Sequence, residues 1–132
     1  MKKTLVCLSL AILVVLSALP VFGAEKKAAT PPRLLRHVVM FKFKADAKPS
    51  EVQKVVDAFG DLKKKISHVA AYEWGTNNSP ENLNKGFTHC FVLSFKTEKD
   101  RDAYLPHPDH KAFVGLLKPV LEEAFVIDYW TN

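Results

Sequence analysis

Arg36-His37-Val38-Val39-Met40-Phe41-Lys42-Phe43-Lys44 alternates: His37, Val39, Phe41 and Phe43 fall on one side, and Val38, Met40, Lys42 and Lys44 on the other. Successive side chains of a strand point to opposite faces, so a period of two makes this segment a strand. The period then changes. Pro49-Ser50-Glu51-Val52-Gln53 opens a helix, with Ser50 and Gln53 at capping-box spacing, and Val52, Val55, Val56, Phe59, Leu62 and Ile66 form one apolar stripe. Lys63-Lys64-Lys65 falls mainly off that stripe and reads as a solvated helix end that complements the helix dipole.

Downstream, Val69 to Thr76 is a second strand and Asn77-Asn78-Ser79-Pro80 the loop after it. Phe87 to Phe95 is a third strand, with His89, Phe91, Leu93 and Phe95 sharing a face. Thr97 and Asp100 open a helix that runs through Tyr104, which Pro106 and Pro108 must break. A further helical piece starts at Asp109, with Phe113, Leu116, Leu117, Val120 and Leu121 as its stripe, and Ala124 to Trp130 is the last strand. The order β-α-β-β-α-β predicts an α+β, ferredoxin-like fold: a four-stranded antiparallel sheet with its helices on one face. In the strand order 4-1-3-2, His37 lies close to the broken Tyr104–His110 segment, and His89 lies at the far edge.

The 132 residues, 48% hydrophobic and 25% charged, exclude collagen-like, low-complexity and wholly disordered chains. Thr4 to Leu19 carries no charge, follows Lys2 and Lys3, and leads into Leu19-Pro20-Val21-Phe22-Gly23-Ala24. A basic start, an apolar run and a small-residue exit predict a signal peptide over residues 1–23, and hence a periplasmic or secreted protein. The remaining sequence has no segment that could span a membrane, so no membrane partner is expected after cleavage. Ala24 to Leu35, AEKKAATPPRLL, reads as a flexible tether, and the domain as residues 36–130.

Loss of Lys2 and Lys3 lowers the formal charge from +5 to +3, too mild a balance to suggest a nucleic-acid partner. Lys85-Gly86-Phe87 opens like the third-strand motif of RNA-recognition modules, but Thr88-His89-Cys90 then stands where a small residue, an aromatic and an aliphatic are required. Cys7 leaves with the signal, so Cys90 has no internal disulfide partner and reads as an inert thiol pointing away from the helices. Stability must come from burial, and about 100 residues supply one modest core.

No Gly-x-Ser-x-Gly, phosphate-binding glycine loop or His-Glu-x-x-His is present. The densest chemical cluster is Tyr104-Leu105-Pro106-His107-Pro108-Asp109-His110. His107, Asp109 and His110 are three local ligands separated by proline, which does not make a zinc site; neither a metal nor another cofactor is expected. One reading of the cluster is architectural, with Asp109 capping a helix and His107 fixing the bend. The other is functional. His37, His110 and the Tyr104 phenol converge on an apolar pocket lined by Val39, Phe41, Phe59, Phe91 and Phe113, where one neutral imidazole takes a proton and a neighbour donates.

Arg36 to Lys44, Gly86-Phe87-Thr88-His89, Tyr104 with His107-Pro108-Asp109-His110, and Asp128-Tyr129 together resemble the stress-responsive dimeric α/β-barrel (Dabb) family. That resemblance implies a homodimer in which two sheets face each other, burying Val38 and Met40. The family spans heat-stable plant stress proteins with no assigned reaction and a cofactor-independent cyclase that closes a linear polyketide by aldol condensation. Its working histidine, tyrosine and histidine match His37, Tyr104 and His110. By resemblance, His110 is the base, and Tyr104 and His37 orient the substrate and polarise its carbonyl. The cyclase's further pocket tyrosine, on the first helix, is Phe59 here. The resemblance therefore implies a homodimer with a small apolar or aromatic ligand and an unassigned role, or alternatively a cyclase or lyase.

Overall fold

A computed structural model describes residues 31–132; the expected signal peptide and the tether up to residue 30 lie outside the described residues. Seven elements follow in order: β1 (Leu35–Phe43), α1 (Pro49–Lys65), β2 (Ala71–Thr76), β3 (His89–Phe95), α2 (Glu98–Tyr104), α3 (Pro108–Leu117) and β4 (Leu121–Trp130). The four strands form one antiparallel sheet in the order β2-β3-β1-β4, the arrangement expected from the sequence. Residues ahead of Arg36 also join the packed domain. Leu34 N–H donates to Thr131 Oγ1 at 2.9 Å, Arg33 Nε–H donates to the Thr131 carbonyl at 2.9 Å, and Leu35 is buried.

The helix starts differ from the simplest motif reading. At α1 the N-cap is Lys48, whose N–H donates to the Glu51 carboxylate at 3.0 Å, with Pro49 in the first turn. Ser50 therefore lies inside the helix, and Gln53 donates to Asp57 instead of closing a box. Proline explains the offset: it needs no N–H bond and is pre-set for the first turn, so it pulls the start forward. The expected cap at α2 is present, with Asp100 N–H donating to Thr97 Oγ1 at 3.1 Å. At α3 the roles reverse. His107, not Asp109, is the N-cap, and its Nδ1 accepts from Asp109 N–H at 3.2 Å. Pro108 again takes the first-turn position.

The helix side of the sheet carries the core. Phe41, Phe59, Phe91 and Phe113 pack on one another, with ring centroids 4.5 Å apart for Phe59–Phe113 and 4.6 Å for Phe59–Phe91. Val55, Val56, Leu62 and Ile66 from the α1 stripe, and Leu117 and Val120 from the α3 stripe, complete the layer. Leu116 is exposed, and Leu121 belongs to β4. On the opposite face Val38 pairs with Ile127 and Val92, and Met40 with Phe125 and Cys90. Among the described residues no helix covers that face, and Phe125, Ile127 and Tyr129 remain 46–49% exposed. Among the described residues, no helix is long and apolar enough to cross a membrane.

Candidate functional site

Register fixes the first half of the site. His37 on β1 stands opposite Asp128 on β4, and both point to the helix side. His37 Nδ1–H donates to Asp128 Oδ1 at 2.6 Å, and the second carboxylate oxygen accepts from Arg101 Nη1–H of α2 at 2.9 Å. Arg101 also holds Asp102. Because Nδ1 carries the proton, the free nitrogen of neutral His37 is Nε2, an acceptor.

The α2–α3 bend supplies the second half. Tyr104 is fully buried at the end of α2, its ring 6.2 Å from His37, 5.3 Å from Phe95 and 4.4 Å from His110. His110 Nδ1–H donates to the Leu105 carbonyl at 2.8 Å, so Nε2 of this ring is also left free. The two prolines make this possible. They stop α2 before Leu105 and restart the chain as α3, so the Leu105 carbonyl turns toward a side chain five residues on. Burial holds the His110 pKa below its ordinary value, assisted by His37 and His107 and opposed by the Leu105 carbonyl. Neutral His110 is thus a proton acceptor at neutral pH. Burial pushes the Tyr104 phenol far above its ordinary range, so it stays a hydrogen-bond donor. Its hydroxyl has no partner among the described residues.

The structure brings the His37 and His110 rings to within 6.2 and 4.4 Å of the Tyr104 ring. Val39, Phe41, Phe59, Phe91 and Phe113 lie in the same layer, but packed against each other as core. The layer opens along β4. Val126, opposite Val39 and on the same side as Asp128, is 50% exposed. His89 lies well away, stacked on Trp74 and edge-on to Phe43. Cys90 sits on the helix-free face, where burial and Glu73 raise its pKa and keep it a thiol. Among the described residues, no group of three or more His, Cys, Asp or Glu side chains could hold a metal ion.

Asp128 and Arg101 are the functional candidates that motif reading passes over. The signal for Asp128 was available: in a β4 strand antiparallel to β1, its alternation puts it on the His37 side. Arg101 carries no such signal, because its role depends on how α2 leans over the sheet edge.

Residues 35–131 match the family described as Stress responsive A/B Barrel Domain. The stress-response A/B barrel domain-containing protein HS1 of Arabidopsis thaliana is 30% identical over 72% of this chain and 87% of its own length. Olivetolic acid cyclase of Cannabis sativa is 22% identical over 72% of this chain and 94% of its own. Among solved structures, hydroxynitrile lyase from Passiflora edulis superposes with a TM-score of 0.72 at 25% identity, covering 77% of this chain and 96% of the lyase. A dimeric, ferredoxin-like protein of unknown function from Bacteroides fragilis superposes with a TM-score of 0.61 at 26% identity, covering 74% and 96% of the two chains.

Proposed function

The chain belongs to the stress-responsive A/B barrel domain family, and from that premise we propose an exported homodimer that binds a small apolar or aromatic molecule beside His37, Tyr104 and His110. The buried Tyr104 hydroxyl carries this reading: it has no partner among the described residues, on a ring that packs near both imidazoles. A buried donor without an acceptor is costly, and a ligand oxygen placed there satisfies it. The second copy of the chain covers the helix-free face. Val38, Met40, Phe125, Ile127 and Tyr129 give that face an apolar patch suited to an isologous interface. Export rests on the basic, apolar and small-residue pattern of residues 1–23.

A second reading, cofactor-independent lyase or cyclase chemistry, is favoured by one specific feature. Both imidazoles are anchored through Nδ1–H, so both leave Nε2 free to take part in chemistry. In that chemistry His110 Nε2 takes an acidic proton from the substrate, and the Tyr104 O–H donates to the oxygen where negative charge develops. Neutral His37 offers an acceptor, so in that state it orients a substrate hydroxyl rather than polarising a carbonyl.

Native mass spectrometry of the mature protein from its exporting host tests the main reading. A dimer with a discrete bound mass, lost in His110→Phe, is expected. A monomer, or a dimer that stays empty in every preparation, overturns it.

A further inference from the structure

We propose that the sheet face opposite the helices holds a second ligand cavity, bordered by the second copy of the chain, and that it takes a small apolar carboxylate with its head at Lys85. The cavity is separate from the His37, Tyr104 and His110 site. Only its closure rests on the dimer proposed above.

The connection from β2 to β3, residues 77–88, builds its wall. This segment turns over the helix-free face: a Cβ at Gly86 would meet Lys42 Cε at 2.8 Å, and the Phe87 ring lies 6.2 Å from that of Phe125 on β4. Hydrogen bonds hold the shape. Asn77 N–H donates to the Thr88 carbonyl and Phe87 N–H to the Asn84 carbonyl, each at 2.8 Å, and the Asn84 amide donates to the Phe87 carbonyl at 3.0 Å. Gly86 at φ 86° and Lys85 at φ 50° are both left-handed, a conformation that glycine adopts freely and lysine does not.

Between that wall and the sheet lies a cavity of about 580 Å³, a size that suits a small molecule. Met40, Leu83, Phe87 and Phe125 give it an apolar body. Gly75 also lines it, and a Cβ there would meet no atom within 4 Å, so glycine keeps that space open. Met40 and Phe125 form one register pair and Val38 and Ile127 the next pair but one along the same face. A second sheet packed on Val38 and Ile127 therefore borders the cavity.

Charge selects the ligand. Lys85 lines the cavity and makes no ion pair among the described residues. Nearby in the lining, the Asn77 side-chain oxygen accepts from Ser79 N–H at 3.3 Å, which leaves its amide NH2 to donate. Glu123, the carboxylate in the lining, is the register partner of Lys42, whose ammonium also pairs with Glu122 at 2.6 Å. A carboxylate head thus meets an unpaired cation and an amide donor, while its alkyl chain lies along Met40 and Phe125. An ammonium head of the same length would meet Lys85 as a like charge.

The test uses decanoate, with decylammonium as the probe of equal length and opposite charge, in calorimetric titrations at neutral pH. Met40 is the only methionine of residues 24–132, so a 13C-methyl methionine label reports on the cavity. Wild type is expected to bind decanoate more tightly than decylammonium and to shift the Met40 signal. Lys85→Asn, which a left-handed position tolerates, should weaken decanoate about 5- to 20-fold and leave decylammonium no weaker. Gly75→Leu should keep the wild-type far-ultraviolet spectrum, fill the cavity, and cost roughly tenfold or more in decanoate affinity. Ile127→Asp should weaken decanoate as well, because the bordering copy is lost. His110→Gln should bind decanoate as the wild type does. Loss of binding in His110→Gln moves decanoate to the helix side and overturns the second cavity; an empty helix-side site leaves it standing. Wild-type affinity in a folded Gly75→Leu, or an unmoved Met40 signal, also overturns the cavity. Wild-type affinity in Lys85→Asn, or tighter binding of decylammonium, overturns the carboxylate class. Wild-type affinity in Ile127→Asp overturns the part played by the second copy. Binding by Ile127→Asp alone shows that the second copy itself fills the space, and overturns the proposal.

Discussion

His37 and Asp128 are register partners on adjacent strands, and their side chains meet at 2.6 Å on the helix side of the sheet. One carboxylate thereby does two jobs: it fixes which nitrogen of His37 carries the proton, and it ties β4 to α2 through Arg101. The site and the sheet edge are held by the two oxygens of one carboxylate.

Replacing that carboxylate separates the two jobs. Asp128→Asn keeps the size of the side chain but can present an amide N–H to His37, and it loses the ion pair with Arg101. A hydrogen bond to a charged group contributes about 1.5–3 kcal/mol, so a stability loss of that order is expected in urea unfolding. The 15N spectrum of the imidazole should also show Nδ1–H giving way to the other tautomer. An unchanged tautomer and unchanged stability would show that the carboxylate orients nothing.

Proton linkage supplies a second expectation. The folded-state pKa values of His110 and His89 are both lowered by burial, so below the unfolded value of 6.5 the unfolded chain takes up protons that the folded chain refuses. Stability from these two groups is therefore complete above that value and falls as pH drops from it to the folded pKa values. His110→Gln should flatten part of this fall in a series of urea midpoints between pH 7 and pH 5. A slope identical to that of the wild type would be incompatible with a half-buried His110 that folding keeps neutral.

Packing of the aromatic layer makes Phe59 the most sensitive core position. Its ring lies within 6 Å of Phe41, Phe91, Phe113 and Tyr72. Phe59→Ala should cost about 3–5 kcal/mol, the usual range for an aromatic truncated in a close-packed interior. Differential scanning calorimetry reads this directly. A cost below about 1 kcal/mol would mean the layer is loose enough to hold a ligand where the ring now sits.

Much of this architecture was legible in the sequence because the two periods do not overlap. Alternation over Arg36–Lys44 and the 3.6-residue stripe of α1 leave no other element type open, and their order leaves few topologies. Element edges were less legible, for a physical reason that recurs. Pro49 and Pro108 both draw their helix starts ahead of the nearest plausible side-chain cap, so Lys48 and His107 occupy the cap positions. The meeting of His37, Tyr104 and His110 followed from topology. The anchor of His110 and the support behind Asp128 did not, since Leu105 acts through its backbone carbonyl and Arg101 through the tilt of a short helix. Burial of the Tyr72 hydroxyl carries no sequence signal, because it depends on how the β2 edge packs against α1.

The last expectation concerns the sheet face opposite α1 and α3. Ile127 pairs with Val38 near the middle of that face, with Phe125 and Tyr129 on either side of it along β4. An aspartate there would need its charge desolvated if a second sheet packs on top, a cost of several kcal/mol per buried ion. If the face stays open to water, the same change costs almost nothing and improves solubility. Ile127→Asp should accordingly convert a dimer into a monomer by light scattering, with the far-ultraviolet spectrum unchanged. It should also weaken unfolding stability in a way that depends on protein concentration for the wild type alone. Retention of the dimer by Ile127→Asp would place the contact between copies elsewhere and leave the apolar patch on β4 without its proposed cover.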